Sequence, residues 1–235
     1  MKIVEIFYSI EGEGIRAGYP CIFIRTYGCS CRCSYCDTPY SYEGDNYTEM
    51  SVSDIVGEIN KYNCKRVTLT GGEPLIQPDA LSLITLLYNL GYDVNIETNG
   101  SVDIRNFIIN KGIEHAHKAS NEVTFTVDYK CPSSGQEDKM CSSLFCNLKY
   151  LNSSTSRIVV KFVVGSKEDL DTMKMVFFQY LVSSNGPIKN VFVSPIFGKI
   201  EPKEIVEYLK DNGLTNIRLQ LQLHKFIWPI DQRGV

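Results

Sequence analysis

The sequence lacks the features that mark membrane proteins, nucleic-acid-binding proteins and proteins of several domains. It has no apolar run long enough to cross a bilayer, and no signal peptide precedes its cysteines. Its 24 basic and 27 acidic residues give a net charge of -3, which indicates no surface for nucleic acid or an anionic membrane. No internal repeat or linker interrupts its 235 residues. We therefore expect one cytoplasmic domain, residues 1–235, that acts on a small molecule.

The sequence also lacks the cysteine pattern of a disulfide-bonded protein. Its nine cysteines are odd in number, and four of them lie between residues 29 and 36, so we expect a reduced protein. Cys131, Cys141 and Cys146 are widely spaced in an irregular segment. We interpret them as ordinary thiols, with a second cluster as the less favoured alternative.

The strongest chemical signal is a loop in which Cys29, Cys33 and Cys36 follow the spacing Cys-x3-Cys-x2-Cys. Thiolates are soft ligands that suit iron–sulfur clusters or zinc. A structural zinc or an ordinary electron-transfer cluster takes four protein ligands, whereas three thiolates leave one iron of a cubane free to bind another molecule. The spacing resembles that of the radical S-adenosylmethionine enzymes, in which the free iron binds S-adenosylmethionine.

Strands and helices alternate along most of the chain. Runs of β-branched and aromatic residues predict strands at 21–27, 66–70, 92–97, 123–128, 157–164, 190–194 and 216–223. Helical spacing of apolar residues predicts helices at about 53–62, 78–89, 104–110, 167–182 and 202–212. We take 21–27 as the first strand. This order favours an α/β fold with an incomplete, parallel β/α barrel of six or seven strands. An irregular insertion at about 131–156 has the length of a lid or a substrate-facing loop.

Polar residues collect where the predicted strands end, which is where the sites of parallel α/β proteins assemble. The segments that follow the first four strands are the cysteine loop, Gly71 to Pro74, Thr98 to Gly100, and Tyr129 with Lys130. In the last strand, alternation places Arg218, Gln220, Gln222 and His224 on one face. That face is either an exposed edge or the polar interior of a barrel.

Several segments together resemble the 7-carboxy-7-deazaguanine synthases, a family of radical S-adenosylmethionine enzymes. They are residues 8–14, 23–25, 28–38, 70–74, 97–100 and 224–228. The Glu-Gly-Glu-Gly segment before the cysteines and the His-Lys-Phe-Ile-Trp segment near the end are the most specific. The resemblance spans nearly the whole chain. It implies the ring contraction of 6-carboxy-5,6,7,8-tetrahydropterin to 7-carboxy-7-deazaguanine, with loss of ammonia, in the biosynthesis of queuosine and related deazapurines.

The same resemblance implies a 4Fe-4S cluster, S-adenosylmethionine, Mg²⁺, an electron donor such as flavodoxin or ferredoxin, and a homodimer. By similarity, Cys29, Cys33 and Cys36 bind the cluster, while Thr38 offers magnesium a hard oxygen. The residues implied for the cosubstrate are Tyr35, Gly72, Glu73, Thr98 and Lys130. Those implied for the substrate are Glu11, Glu13, Arg25, Thr70, His224 and, through its carboxylate, Val235.

Three positions depart from the family pattern. Relatives often have glutamine where Glu11 stands, a Ser-Pro-Lys segment is replaced by residues 128–130, and Cys31 occupies a spacer position. We interpret Cys31 as a small residue packed under the loop, and His115 and His117 as surface or loop residues. Two alternatives stay open: an activating enzyme of a glycyl-radical enzyme, and a non-catalytic zinc or iron–sulfur protein.

Overall fold

A computed structural model describes residues 1–108, 122–151, 156–184, 186–229 and 232–235. His115 and His117 lie outside the described residues, as do the end of the predicted helix 104–110 and positions 152–155 of the irregular insertion. In the described part of the chain, no helix is long and apolar enough to span a bilayer.

A sheet of nine strands forms the centre of the described structure. The strands in chain order are β1 (Lys2–Ile10), β2 (Pro20–Thr26), β3 (Thr48–Glu49), β4 (Arg66–Gly71), β5 (Asp93–Thr98), β6 (Val123–Tyr129), β7 (Ser156–Val164), β8 (Val182–Ser183), β9 (Gly186–Pro187), β10 (Val191–Pro195) and β11 (Ile217–Leu219). The short strands β8 and β9 pair only with each other, and the large sheet has the order β11-β10-β7-β6-β5-β4-β2-β1-β3.

Seven neighbouring strands of this sheet run parallel: β2, β4, β5, β6, β7, β10 and β11. Seven parallel strands that do not close on themselves confirm the predicted incomplete barrel. The prediction that 21–27 is the first strand is wrong, because β1 precedes β2 and pairs with it in the antiparallel direction, while β3 pairs with the other side of β1. Much of β1 is only half-buried, so its sequence does not show the apolar run that marks the central strands.

The helices are α1 (Val52–Ile59), α2 (Ala80–Asn89), α3 (Arg105–Ile108), α4 (Ser142–Asn147), α5 (Lys167–Val176), α6 (Pro202–Asp211) and α7 (His224–Ile227). Local sequence explains several of their ends. Ser51 and Asp54 form a capping box at the start of α1. Gly91, with φ of 78°, turns the chain after α2. Helix α5 is shorter than predicted because the chain continues from 177 to 181 as a π-helical turn.

The two faces of the parallel strands differ in polarity. Alternate residues point to opposite faces, and the face covered by helices carries fully buried apolar side chains: Val67, Leu69, Val94, Ile96, Phe125, Val127, Ile158, Val160 and Phe162. The opposite face carries Thr68, Thr70, Asn95, Glu97, Thr126, Asp128 and Lys161. The register pairs Thr68 with Asn95, Glu97 with Thr126, and Asp128 with Lys161. The polar side chains therefore form one continuous lining.

The irregular segment after β6 packs against the cysteine loop. Leu144, Phe145 and Leu148 of this segment are buried in the core. The hydroxyl of Ser34 donates to the carbonyl oxygen of Ser133 at 2.6 Å, which ties the segment to the loop. No residue between 132 and 151 lines the cavity described below. This part of the chain thus supports the cysteine loop from outside, contrary to the interpretation as a lid or substrate-facing loop.

Candidate active site

One cavity of about 460 Å³ lies against the polar lining of the sheet and the cysteine loop. Cavities of roughly 300–1,000 Å³ are typical of small-molecule sites. The predicted site residues that line it are Glu11, Glu13, Arg25, Cys29, Cys33, Tyr35, Cys36, Thr38, Thr70, Gly72, Thr98, Lys130, His224 and Val235. Of the predicted site residues, only Glu73 is not part of the lining. The structure therefore brings residues from both ends of the chain to one place.

Glycines allow the cysteine loop and the Gly-Gly-Glu-Pro turn to pack directly on each other. The backbone N–H of Glu73 donates to the carbonyl oxygen of Gly28 at 2.8 Å. A Cβ atom at Gly72 would lie 2.1 Å from that same oxygen, so a larger residue at 72 would separate the two segments. The side-chain amide of Asn99 donates to Cys29 Sγ at 3.5 Å. The cysteine loop is therefore held both by its backbone contact with the turn and by the hydrogen bond to the Cys29 thiol.

The thiols fit a 4Fe-4S cluster better than a single ion. Cys29, Cys33 and Cys36 are not in disulfides and border the same cavity. Among the described residues, no three His, Cys, Asp or Glu side chains are grouped to hold one metal ion. A cubane binds each thiolate at a different iron, whereas a structural zinc needs its ligands to converge. A hydrogen bond from the Cys31 thiol lowers the pKa of Cys29 to about 6, which favours the thiolate that binds metal.

Cys31 lies inside the loop, with 1% of its surface exposed. Its backbone N–H donates to Cys29 Sγ at 3.4 Å. These contacts agree with a packed residue that supports the neighbouring thiols. That Cys31 is not a ligand stays a prediction.

The carboxylate of Glu73 points into the protein instead of into the cavity. It is fully buried and accepts hydrogen bonds from the hydroxyl of Thr98 at 2.9 Å and the backbone N–H groups of Asn99 and Leu75 at 2.7 and 3.1 Å. Burial raises the pKa of Glu73 to about 7. Its side chain therefore joins the ends of β4 and β5, while the neighbouring Gly72 is left to line the cavity.

A buried ion pair lies beside the cysteine loop at the end of β6. Lys130 Nζ is 2.7 Å from Asp128 Oδ2. Burial opposes the charge of Lys130, but Asp128 outweighs it, so the pKa of Lys130 is raised. Asp128 Oδ1 and the hydroxyl of Tyr35 are buried without a hydrogen-bond partner among the described residues. Such atoms are costly unless a ligand or water pairs with them.

A second buried ion pair joins Glu13 to Lys161, which sequence analysis did not identify. Lys161 Nζ lies 2.7 Å from Glu13 Oε2. Burial raises the pKa of Glu13, but Lys161 outweighs this effect and the net pKa is lowered. Glu13 Oε1 has no partner among the described residues. Only the period-two pattern of β7 could have signalled Lys161, as a lysine that alternates with apolar residues.

Glu11 and Arg16 form the deep end of the polar lining. The hydroxyl of Thr68 donates to Glu11 Oε2, and Arg16 Nη2 lies 3.7 Å from the same oxygen. Burial, together with the nearby charge of Glu97, raises the pKa of Glu11 to about 8. Both backbone polar groups of Glu11 bond to the turn at 18–19. Glu11 thus borders the cavity with its backbone polar groups and Oε2 already engaged by the protein.

Arg25 and Thr38 retain polar groups that no described residue engages. Arg25 Nε donates to Glu5 at 2.7 Å, and its two terminal nitrogens donate to no described residue. The hydroxyl of Thr38 donates to Asp37 Oδ1 at 3.0 Å, which leaves the lone pairs of its oxygen for a ligand. A guanidinium can bind a carboxylate, and hydroxyl and carboxylate oxygens are the hard donors that magnesium prefers.

The predicted last strand ends early, so only part of its polar face reaches the cavity. Strand β11 stops at Leu219. Gln222 and His224 line the cavity, but Gln220 bonds to the backbone of Gly14 at 2.8 and 3.2 Å. Of the four residues assigned to the polar face, Arg218 and Gln220 do not line the cavity.

Arg218 is exposed and lies outside the cavity lining. Its guanidinium donates to Asn190 at 2.9 Å and stacks on the ring of Phe192. His224 instead begins α7 and packs on Gly12, where a Cβ atom would lie 2.5 Å from the imidazole Nδ1. Burial lowers the pKa of His224, so a neutral imidazole is favoured at the cavity wall.

The end of the chain forms another part of the wall. Gln232, Arg233, Gly234 and Val235 border the cavity. The guanidinium of Arg233 lies 3.8 Å from the centre of the Tyr40 ring, a distance suited to cation–π attraction. Val235, which the sequence analysis names as a substrate residue, thus borders the cavity.

Comparison with known proteins identifies the family. A family model of the radical SAM superfamily matches residues 23–128. The chain is 42% identical over its full length to the 7-carboxy-7-deazaguanine synthase of Clostridium acetobutylicum, of which it covers 99%. The chain belongs to the 7-carboxy-7-deazaguanine synthase family. The enzyme of that name from Methanospirillum hungatei is 39% identical over 97% of this chain and 85% of that protein.

A solved structure agrees with this assignment. The crystal structure of QueE from Escherichia coli matches with a TM-score of 0.70 and 25% identity, over 95% of this chain and 94% of that one. As a member of the radical SAM superfamily, the chain uses a 4Fe-4S cluster and S-adenosylmethionine. The two alternatives, a glycyl-radical activating enzyme and a non-catalytic metal protein, are not favoured by these relatives.

Proposed function

We propose that the cavity catalyses the ring contraction of 6-carboxy-5,6,7,8-tetrahydropterin to 7-carboxy-7-deazaguanine, with loss of ammonia, in the biosynthesis of queuosine and related deazapurines. Relatives named for this product support the proposal. The observation that carries it is that one cavity combines the cysteine loop with a carboxylate, a guanidinium and an imidazole from Glu13, Arg25 and His224.

The cofactor end of the cavity is the side formed by the cysteine loop. We assign Cys29, Cys33 and Cys36 to the cluster, which with S-adenosylmethionine supplies a hydrogen-abstracting radical when bound. Gly72 lets the backbone approach the cosubstrate closely. Lys130 offers an ammonium to the carboxylate of the cosubstrate. Asp128 Oδ1, which has no described partner, offers an acceptor to the amino group of the cosubstrate.

Other groups near the cofactor end act through the protein. Tyr35 of the cysteine loop borders the cavity, and we assign its ring to shielding the cluster. Thr98 borders the cavity, although its hydroxyl donates to Glu73. We therefore assign Thr98 a packing contact and Glu73 a supporting role, through the turn that contains Gly72. The protein then orients the reacting C–H bond and excludes water.

The substrate end contains complementary polar groups. Glu13 Oε1 can accept a hydrogen bond from a pterin N–H group, and the terminal nitrogens of Arg25 can bind the substrate carboxylate in a bidentate manner. Thr70 donates to Glu97 at 2.8 Å, which leaves its oxygen able to accept. His224 adds a neutral donor or acceptor. The carboxylate of Val235 is the remaining proposed contact.

Magnesium has a suitable donor at Thr38. The hydroxyl oxygen borders the cavity, and Asp37 lies next to it. Mg²⁺ prefers hard oxygens and usually keeps several waters, so Thr38 and the substrate carboxylate would together bind the ion at the substrate. We further propose a single cytoplasmic domain of residues 1–235 that works as a homodimer, without nucleic acid or membrane, and receives electrons from a flavodoxin or ferredoxin.

The test is turnover by the reconstituted enzyme. The protein, loaded anaerobically with iron and sulfide, is given the carboxytetrahydropterin, S-adenosylmethionine, Mg²⁺ and a reductant, and the product is measured by mass spectrometry. We expect 7-carboxy-7-deazaguanine, and none from the Cys33→Ala variant. Protein with an intact cluster that cleaves S-adenosylmethionine but forms no deazapurine would contradict the proposed substrate.

A further inference from the structure

Lys161 lies where a β7 side chain meets the segment between β1 and β2. Its ammonium donates to Glu13 Oε2 at 2.7 Å across a separation of 148 residues in the sequence. Only 12% of the Lys161 side chain and 9% of the Glu13 side chain are exposed. An ion pair this buried is desolvated, so the loss of one partner leaves the other as an uncompensated charge.

The two oxygens of the Glu13 carboxylate have different surroundings. Oε2 is bonded to Lys161, whereas Oε1 is buried and has no partner among the described residues. The backbone on both sides of Glu13 is fixed, since the carbonyl oxygen of Gly12 accepts from Leu223 N–H at 3.1 Å and Gly14 N–H donates to Gln220 at 2.8 Å. The segment therefore presents one anchored oxygen and one available oxygen to the cavity.

We infer that Lys161 is a positioning residue for substrate recognition: it holds Glu13 ionised and oriented, so that Oε1 accepts a hydrogen bond from an N–H group of the pterin. The inference rests on the proposed function and goes beyond it by making substrate affinity depend on a lysine that need not touch the substrate. It also predicts selectivity for ligands whose ring edge presents an N–H donor, because a ligand that lacks this donor leaves Glu13 Oε1 unpaired.

The other charged groups around Glu13 cannot replace Lys161. His224 from α7 faces Glu13, but burial lowers its pKa and favours the neutral ring. Asp37 from the cysteine loop and Glu11 from the same segment are acidic and disfavour the Glu13 carboxylate. On its other side, Lys161 faces Asp128 of β6 and Glu97 of β5, which stabilise its charge. Loss of the Lys161 ammonium therefore favours protonation of Glu13.

The first test compares Lys161→Met with Lys161→Arg. A hydrogen bond to a charged group contributes about 1.5–3 kcal/mol, so we expect KM for the pterin to rise about 10- to 100-fold in Lys161→Met, with a much smaller change in kcat. Because its Glu13 binds a proton more readily, KM should fall back as the pH is raised, whereas the wild-type KM should stay nearly constant. Lys161→Arg, which keeps the charge, should restore most of the affinity.

A matched control is Lys210→Met. Lys210 forms a pair of similar length, 2.8 Å, with Glu207, but its side chain is 64% exposed on α6. We expect its KM and pH profile to match the wild type. Iron content and S-adenosylmethionine binding, measured on every variant, report whether each one folds and loads its cofactors. Should Lys161→Met fail to fold, Lys161→Gln takes its place.

A double-mutant cycle with Glu13→Gln tests the coupling. If Lys161 acts through Glu13, Lys161→Met should add at most a small increase in KM to the Glu13→Gln variant. Independent effects that multiply, or a Lys161→Met variant with the wild-type KM and pH profile, would overturn the inference. Failure of the wild-type enzyme to form the deazapurine would instead overturn the proposed function, so the two failures are distinguishable.

Discussion

The two faces of the parallel sheet contrast sharply although their residues alternate along the same strands. On the face covered by helices, Leu69, Ile96 and Phe125 are fully buried. On the other face, Thr70 donates to Glu97 in the cavity wall. Apolar burial stabilises the fold in proportion to area, whereas the polar groups require specific partners. Substitutions at neighbouring positions of one strand should therefore affect stability on the apolar face and chemistry on the polar face.

The largest effect is expected at the rim of the polar face, within the cysteine loop. Cys33→Ala should remove the bound iron and all product formation, because a cubane held by two thiolates loses an anchor. Cys31→Ala is the matched variant, two residues away in the same loop, and should retain iron. Iron and sulfide analysis of anaerobically purified protein measures both. Loss of iron in Cys31→Ala would show that Cys31 is itself a ligand.

A large loss of stability is expected on the apolar face. Phe125→Ala removes a fully buried ring from the core and should lower the free energy of unfolding by about 3–5 kcal/mol. The neighbouring Thr126→Ala removes a methyl group and a hydroxyl that donates to Asn95 at 2.9 Å, which is expected to cost about 1–3 kcal/mol. Denaturant unfolding of both variants gives the values. Equal losses would contradict the contrast between the faces.

A pH-dependent effect is expected from Glu11, deep in the polar lining. Its pKa is raised to about 8 in the fold, so the folded protein binds this proton more tightly than the unfolded chain. The contribution to stability is present below the unfolded pKa of about 4.5 and is lost as the pH rises to about 8. Glu11→Gln carries no such proton.

The free energy of unfolding of wild type minus that of Glu11→Gln should therefore decrease from pH 4.5 to pH 8. Unfolding measured at several pH values gives this difference. The amide can still accept from Thr68, so the variant should remain active. A difference that increases with pH would show that Arg16 holds Glu11 ionised.

The smallest effects are expected where the predicted polar face of the last strand leaves the cavity. Arg218→Ala removes contacts to Asn190 and Phe192 at the surface and should change stability by about 0.5 kcal/mol or less. Gln220→Ala removes two bonds to Gly14 and should cost about 1 kcal/mol. Neither should change kcat. His224→Ala is measured beside them as the site variant. A loss of kcat in Arg218→Ala would show that Arg218 belongs to the site, as the predicted polar face implied.

The fold was predictable because its signals are local. Apolar runs indicated the central parallel strands, and the helical spacing of apolar residues indicated α1. The antiparallel strand β1 was missed because it is half-buried and shows a weaker pattern. The early end of β11 was missed because the alternation of Arg218 to His224 continues in a segment that is no longer a strand, where the hydrogen bonds between Gln220 and Gly14 set the path.

The sequence by itself determined the cysteine spacing, the glycines that permit close packing, and the alternation that separates an apolar from a polar face. Tertiary structure alone decided which polar groups meet. Glu73 turns inward because backbone N–H groups of neighbouring segments converge on it. Lys161 becomes part of the site because strand register brings β7 opposite Glu13, 148 residues away. The physical reason is that a side chain's type is local, whereas its partner and its burial depend on the packing of the whole chain.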